Sequence, residues 1–290
     1  MIGFFLADAK EAAPIVHVAP EHVFQIGSVN ITNSMLYGWI SILLLIVLLT
    51  WAARKVTVRP KRGVVQYVEA GVTFISDLVE NAFNDRAIGR KYVPFFVTLF
   101  FFVLLNNWSG LMPGVGEAIQ IHGQPLLRPF TADLNATLAM GLVTMVFVYA
   151  ASIREVGGFG KFIHHFFMGF NPLYIVIGLI EMLTDLTRAF SLALRLFLNV
   201  TIGEIVIAVF AFLGGMLAPH SIISPITALP FTLLELGVGA LQAYIFVILG
   251  VNYLAIAVNS AHAHEADLTE DEAPEKIGVS PTQVGDARGA

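Results

Sequence analysis

The chain has 290 residues, of which 57% are hydrophobic and 13% are charged. Few soluble folds of this length can bury so much apolar surface, so the composition predicts a protein that crosses a membrane several times. The net charge of −5 belongs to residues 262–290, no basic surface indicates nucleic acid, and the absence of cysteine excludes disulfides and thiol chemistry.

The first predicted membrane helix covers residues 35–53, an apolar stretch that ends in a cluster of basic residues. After Pro60, apolar residues recur at helical spacing and are opposed by polar ones. This pattern predicts an amphipathic helix that lies on the membrane surface or against a neighbouring helix. The apolar positions are Val68, Val72, Ile75, Val79 and Phe83.

Two further apolar stretches, residues 92–112 and 134–153, are each long enough to cross the membrane. The basic, glycine-rich connection after them contains the adjacent pair His164-His165. This pair and His262 and His264 lack a cysteine or a spaced acid pair, so they are interpreted as solvated residues and no metal site is expected.

The last two apolar stretches, residues 172–213 and 225–260, are too long for upright crossings. Forty helical residues measure roughly 60 Å, about twice the hydrocarbon thickness of a bilayer. No proline or glycine interrupts residues 179–202, so a sharp break is not expected there. We therefore predict two strongly tilted helices that form an antiparallel hairpin, within an all-α membrane protein of about five crossings plus the surface helix.

Basic residues are distributed unevenly between the connecting segments. Segments 53–92 and 154–171 contain ten Lys or Arg, whereas the remaining connections and the N-terminus contain only Lys10 and Arg128. The positive-inside rule then places the N-terminus outside and the C-terminus in the cytoplasm.

Three regions follow from this organisation. Residues 1–33 form a segment on the outer side, and residues 34–261 form the membrane domain, which contains the hairpin 172–261. Residues 262–290 are polar, acidic and poor in aromatics, so they are expected to form a disordered cytoplasmic tail.

The first arm of the hairpin carries an unusual polar stripe. At about 100° per residue, five polar side chains fall within roughly 80° of arc, and Glu204 points to nearly the opposite side. One arginine at a bilayer centre costs about 2.5–3.5 kcal/mol on insertion scales, so the stripe requires compensation by water or by charges of a partner. The five residues are Glu181, Asp185, Arg188, Arg195 and Asn199.

The two arginines of this stripe differ in their local partners. Arg188 lies one turn from Asp185 and is open to either a structural or a functional role. Arg195 has no acid within four residues, and its guanidinium stays charged at any relevant pH. We therefore expect Arg195 to meet a charged group on another protein.

An antiparallel hairpin that turns near residue 219 pairs positions whose numbers sum to about 438. Arg195 then lies level with Gln242, and Glu204 lies level with Glu235. Two carboxylates facing each other inside a membrane are not expected to be ionised together, so one of them carries an exchangeable proton. The pair is interpreted as part of a proton pathway. The alternative is a structural pair, in which the two buried carboxyl groups share a proton only to complete their own hydrogen bonding.

Several segments resemble subunit a of the rotary F-type ATP synthases. They are Ser191-Leu-Ala-Leu-Arg195-Leu-Phe-Leu-Asn199, Gly203-Glu204, Leu241-Gln242-Ala243-Tyr244 and, less specifically, Pro129-Phe-Thr-Ala-Asp133-Leu-Asn135. The resemblance extends from about Met35 to His262. The family usually has a small residue at the position of Leu198 and a proline at the position of Ala189.

The resemblance implies a stationary, non-catalytic proton-channel subunit. It implies that an oligomeric ring of subunit c, each copy with one membrane carboxylate, turns against the hairpin, and that peripheral-stalk subunit b and the rest of the ATP synthase are further partners. It also implies that protons pass Asn199, Glu204, Glu235 and Gln242 from the outer side, that Arg195 faces the ring carboxylate, and that two offset half-channels couple proton flow to rotation and ATP synthesis.

Other polar residues have less certain roles. Asp133 and Asn135 either cap the start of the third crossing or line an entry vestibule, and both alternatives stay open. Towards the cytoplasm, an exit path is predicted along Ser191, Asn252 and Tyr253, with Thr184 and Thr187 beside it.

The competing functional class is a self-sufficient secondary transporter or ion channel, whose sites usually lie on broken helices within repeats. Such a protein would conduct when reconstituted alone, whereas a stator subunit requires its ring. The sequence contains no phosphate-binding glycine loop and no nucleophile elbow, so neither an enzymatic activity nor a cofactor is expected. Without an Arg- and Ser-rich presequence, the bacterial inner membrane is favoured over the mitochondrial one.

Overall fold

The structure, a computed structural model, describes residues 22–26, 29–55, 63–112, 115–121, 124–155, 158, 172–217 and 223–271. Predictions about residues 1–21, His164-His165 and residues 272–290 lie outside this part. The elements in chain order are β1 (His22–Ile26), β2 (Val29–Thr32), α1 (Asn33–Lys55), α2 (Val64–Ala82), α3 (Arg86–Gly110), β3 (Gly116–Ile121), β4 (Gln124–Leu127), a 3-10 turn (Phe130–Ala132), α4 (Leu134–Glu155), α5 (Pro172–Leu217) and α6 (Ile223–Asp271).

Five helices in the described part are long and apolar enough to cross a membrane: α1, α3, α4 and most of α5 and α6. Their exposed surfaces carry large apolar side chains such as Leu43, Leu142 and Leu183, which suits contact with lipid. The predicted fold class and the number of crossings are therefore confirmed.

Helices α5 and α6 form the predicted antiparallel hairpin. The hydroxyl of Thr227 donates to the carbonyl oxygen of Phe210 at 2.9 Å, and the rings of Phe210 and Phe231 stack with centroids 3.8 Å apart. With 46 and 49 residues, the arms measure roughly 70 Å each at 1.5 Å per residue, more than twice the thickness of the hydrocarbon layer. Both arms are therefore too long to stand upright within it.

Helix α3 is central to the packing, since α1, α2 and α6 all lie against it. The apolar side of α2 is buried, including Val68, Ile75, Val79 and Phe83. The predicted amphipathic helix is thus confirmed, and it packs against neighbouring helices. Near the N-terminal end of α3, the Tyr92 hydroxyl donates to Glu155 of α4 at 2.8 Å, which ties these two crossings together.

The third crossing, α4, supports the charged arm of the hairpin. Gly141 packs against Ala189 and Ala193 of α5, and Ala189 is buried. The position where the family usually has a proline therefore faces the protein interior. Leu198, by contrast, is exposed on α5.

Two short β-hairpins were not predicted. Strands β1 and β2 pair antiparallel just before α1, and β3 and β4 pair between α3 and the 3-10 turn. These segments are only four to six residues long. An alternating pattern over so few residues is a weaker signal than the long apolar stretch of a membrane helix, so the strands could not be predicted from it.

The C-terminal boundary of the membrane domain requires a correction. The sequence predicted disorder from His262, but α6 continues to Asp271. The residues between them are mostly Ala, Glu, Asp and His without proline or glycine, and the first proline beyond them is Pro274. Extending an existing helix adds one hydrogen bond per residue without a new nucleation step, so a polar sequence can continue it.

Candidate functional site

Arg195 lies on the outward face of α5. Its side chain is exposed, and the surrounding exposed residues on the same helix include Phe190, Leu198 and Ile202. It forms no hydrogen bond or ion pair with any residue that the structure describes. A permanently charged group therefore stands in an apolar membrane-facing surface, which is unfavourable unless another molecule supplies an anion or water.

Arg188, one of the other residues of the polar stripe, is partnered. Its Nη1 lies 3.1 Å from Oδ1 of Asp185, and its guanidinium carbon lies 5.3 Å from the centre of the Tyr253 ring. The Tyr149 hydroxyl donates to Oδ2 of Asp185 at 2.7 Å. Arg188 thus belongs to a cluster that joins α4, α5 and α6, as the structural alternative for this residue predicted. For Glu181, the structure gives the helical position but not the surroundings of the side chain.

Glu235 of α6 meets α5 at Gly203, the residue that directly precedes Glu204. Glu235 is 8% exposed, and its carboxyl group lies against Gly203, where it occupies the space that a Cβ atom would fill. The predicted register, in which facing residue numbers sum to about 438, is confirmed at this point of the hairpin.

Glycine at position 203 follows from this close approach. Any larger residue would place its Cβ atom within the Glu235 carboxyl group. A glycine next to Glu204 therefore lets two carboxylates from facing helices lie near each other in a tightly packed interface.

Arg128, in the connection between α3 and α4, lies next to the 3-10 turn that packs against α5. Arg128 is buried, and its Nη2 donates to the Ala132 carbonyl oxygen at 2.9 Å. From the sequence, Arg128 served only to indicate topology; its position directly before the Pro129–Asn135 motif is the signal that could have identified it.

Asn199 and Gln242 contribute polar atoms to the interior. The Nδ2 atom of Asn199 and the Nε2 atom of Gln242 are buried, and neither has a hydrogen-bond partner among the described residues. The Oγ1 atom of Thr201 shares this property. Buried polar groups in native proteins are almost always hydrogen-bonded to protein or water. Water molecules can therefore act as hydrogen-bond partners for these three atoms. Gln242 is buried whereas Arg195 is exposed, so residues on the same level of the hairpin face different surroundings.

Asp133 caps α4. Its Oδ1 accepts from the backbone N–H of Asn135 at 2.9 Å, and its Oδ2 accepts from the Ser34 hydroxyl at 2.5 Å. The helix-capping alternative is therefore confirmed for Asp133, which also joins α1 to α4. Asn135 is exposed, and a role of either residue in an entry vestibule stays a prediction.

The residues of the predicted exit path lie on α5 and α6. Ser191 and Asn252 are exposed, and Tyr253 is half-buried. The hydroxyls of Thr184 and Thr187 donate to carbonyl oxygens of their own helix, at 2.8 Å and 2.7 Å. Ser191 lies on the same exposed face of α5 as Arg195. The hydroxyl groups of the two threonines already donate hydrogen bonds within their own helix.

Comparison with known proteins agrees with the resemblance found in the sequence. A family profile described as "ATP synthase A chain" matches residues 35–255. The ATP synthase subunit a of Moorella thermoacetica is 31% identical over 250 residues, which cover 86% of this chain and 100% of the relative. The corresponding subunits of Myxococcus xanthus and Gloeobacter violaceus are 32% and 31% identical, over 81% and 86% of this chain and 75% and 93% of theirs.

Proposed function

The chain belongs to the ATP synthase subunit a family, and from this membership we propose that it is the stationary proton-channel subunit of an F-type ATP synthase. In this role it couples proton flow to rotation of a ring of subunit c and thereby to ATP synthesis. It carries no catalytic site for ATP itself. Subunit b of the peripheral stalk and the rest of the complex are its further partners.

The observation that carries this proposal is the isolated charge of Arg195. The guanidinium is exposed on an apolar membrane helix and has no partner among the described residues. A ring whose subunits each bring one carboxylate to this depth supplies the missing anion. The experiment that tests the function is proton translocation by a complex in which Arg195 is replaced by alanine.

Arg195 acts on each ring carboxylate as the carboxylate arrives. An opposite charge nearby favours the ionised form of a carboxyl group, so the ring site releases its proton before it passes the arginine. The same fixed charge repels protons and prevents them from passing directly between the two half-channels. Each proton that crosses 100 mV supplies about 2.3 kcal/mol for the rotation.

The outer half-channel leads through the carboxylate pair. Protons reach Glu204 and Glu235, the latter with its carboxyl group against Gly203, and continue past the buried amides of Asn199 and Gln242. The pair holds an exchangeable proton because two adjacent carboxylates in a membrane do not ionise together. Water bound to the unpaired amide nitrogens completes the path to the ring.

The inner half-channel opens along Ser191, Asn252 and Tyr253. Ser191 lies on the Arg195 face of α5, and Asn252 is exposed on α6, so both are available to a ring carboxylate that has passed the arginine. Arg188 forms an ion pair with Asp185, and its guanidinium lies over the ring of Tyr253 beside this path.

We place the C-terminus in the cytoplasm of a bacterium and the N-terminus outside, because ten basic residues lie on one side of the predicted crossings and two on the other. A tag attached after Ala290 is expected to resist protease in intact cells and to be cleaved in inverted membrane vesicles. Cleavage in intact cells would reverse the orientation and exchange the names of the two half-channels.

Gly203→Ala is expected to slow proton pumping while the complex still assembles. The new Cβ atom overlaps the Glu235 carboxyl group, which is the flexible end of a side chain and moves aside. A carboxyl displaced by about 1 Å transfers protons less well, and we expect a loss of roughly tenfold to a hundredfold per complex. The measurement is ATP-driven acidification of inverted vesicles, normalised to complex content by immunoblot.

Gly237→Ala is the matched control, because a Cβ atom at this position of the facing helix meets nothing within 4 Å. It is expected to pump at the wild-type rate. Normal pumping by Gly203→Ala would show that the position of the Glu235 carboxyl group against α5 is not important for proton transfer.

A further inference from the structure

Two side chains at the C-terminal end of α3 bind the backbone of α6. The Nδ2 atom of Asn107 donates to the carbonyl oxygen of Gly239 at 3.0 Å, and the indole Nε1 of Trp108 donates to the carbonyl oxygen of Leu236 at 3.0 Å. Both acceptors lie within a helix. A carbonyl oxygen has two lone pairs, so it can accept a side-chain donor in addition to its helical hydrogen bond.

These two acceptors frame the turn of α6 that begins at Glu235. Leu236 follows the glutamate directly, and Gly239 lies one turn further on, on the same side of the helix as Glu235. A Cβ atom at Gly239 would lie 3.1 Å from the Cβ atom of Asn107. The two helices therefore approach closely at this point, and the contact fixes both the height and the rotation of α6.

The Glu235 carboxyl group is held from the other side by α5. It fills the space beside Gly203, and Glu235 is 8% exposed. For an atom about 6 Å from a helix axis, a rotation of roughly 10° is a displacement of about 1 Å. The rotation of α6 thus decides whether this carboxyl group meets Gly203 and Glu204 or misses them.

We infer that Asn107 and Trp108 are positioning residues for the proton transfer at Glu235. They hold α6 at the rotation in which the carboxyl group of Glu235 lies against the Gly203-Glu204 turn. This inference rests on the proposed function, because it gives the two residues a role in the outer half-channel. Their contribution is geometric: neither side chain carries a proton to or from the pair.

The first test replaces both donors with apolar side chains. The double variant Asn107→Leu, Trp108→Phe removes the amide and the indole N–H, and we expect ATP-driven pumping per assembled complex to fall about tenfold. The control is Asn106→Leu: Asn106 is also buried, but its Nδ2 donates to the Phe102 carbonyl oxygen of its own helix at 2.8 Å. The control is expected to pump within about twofold of wild type. Wild-type pumping by the double variant would overturn the inference.

The second test measures the position of α6 without proton flux. The chain contains no cysteine, so Gly203→Cys and Glu235→Cys introduce one defined pair of thiols in the assembled complex. With Asn107 and Trp108 intact, mild oxidation is expected to join them by a disulfide. When both donors are removed, the rate of joining is expected to fall about tenfold, whereas Asn106→Leu leaves it unchanged.

The inference would be overturned if the disulfide formed at the same rate with and without the two donors. It would also be overturned if no disulfide formed while both donors were intact. Because this second readout involves no proton transfer, its failure is distinguishable from failure of the proposed function, which the Arg195 variants test.

Discussion

Replacing Arg195 with alanine is expected to abolish ATP synthesis by a complex that still assembles. The exposed guanidinium forms no hydrogen bond or ion pair with the described part of its own chain, so its removal leaves no broken ion pair behind. Without it, nothing forces a ring carboxylate to ionise between the two half-channels. The measurement is ATP synthesis in membrane vesicles after an imposed proton gradient, with complex content checked by immunoblot.

Arg195→Lys is expected to restore coupling poorly. An ammonium group is a more strongly hydrated point charge than a guanidinium, and it is carried on a side chain of different length and shape. It also loses its proton more readily when it is removed from water. Synthesis at the wild-type rate by the lysine variant would show that any positive charge at this level suffices.

Glu204→Gln and Glu235→Gln are each expected to slow proton flux severely, by roughly 10²-fold, which is the lower end of the effect of removing a proton-transferring group. Glutamine preserves the volume beside Gly203, so the complex is expected to assemble. The measurement is passive proton flux through the membrane sector after removal of the soluble catalytic sector, per assembled complex.

The double variant distinguishes one relay from two separate sites. If both carboxylates serve the same proton path, replacing both is expected to be little worse than the more harmful single replacement, because the effects of residues that act together do not add. Loss of assembled complex with normal flux through the remainder would instead support a pair that shares its proton only for stability.

Much of the architecture was predictable because a bilayer limits the choices. An apolar stretch of about twenty residues has one stable form in lipid, a helix, so the crossings follow from hydropathy alone. The hairpin register was predictable for a similar reason: two proline-poor helices joined by a short connection must pack antiparallel, and the position of the turn determines which levels face each other. This register places Glu235 level with Glu204, and the Glu235 carboxyl group lies against the neighbouring Gly203.

The contacts that depend on exact rotations of the helices were not predictable. The sequence offers no sign that Tyr149 binds Asp185, or that Asn107 and Trp108 bind the backbone at Gly239 and Leu236, because those pairs are far apart in the chain. The role of Asp133 stayed open for the same reason, because a helix cap and a vestibule both need the same residue type. The hydrogen bonds from Asn135 and Ser34 show the capping contact, and the vestibule role stays a prediction.

The most direct test of a coupling role for Arg195 is a comparison of two arginines on one helix. Arg195 is exposed and unpaired within the described structure, whereas Arg188 binds Asp185 at 3.1 Å. ATP-driven acidification of inverted vesicles is measured for Arg195→Ala and Arg188→Ala, each normalised to assembled complex. We predict no acidification for Arg195→Ala and substantial acidification for Arg188→Ala. Normal pumping by the assembled Arg195→Ala complex would contradict the mechanism.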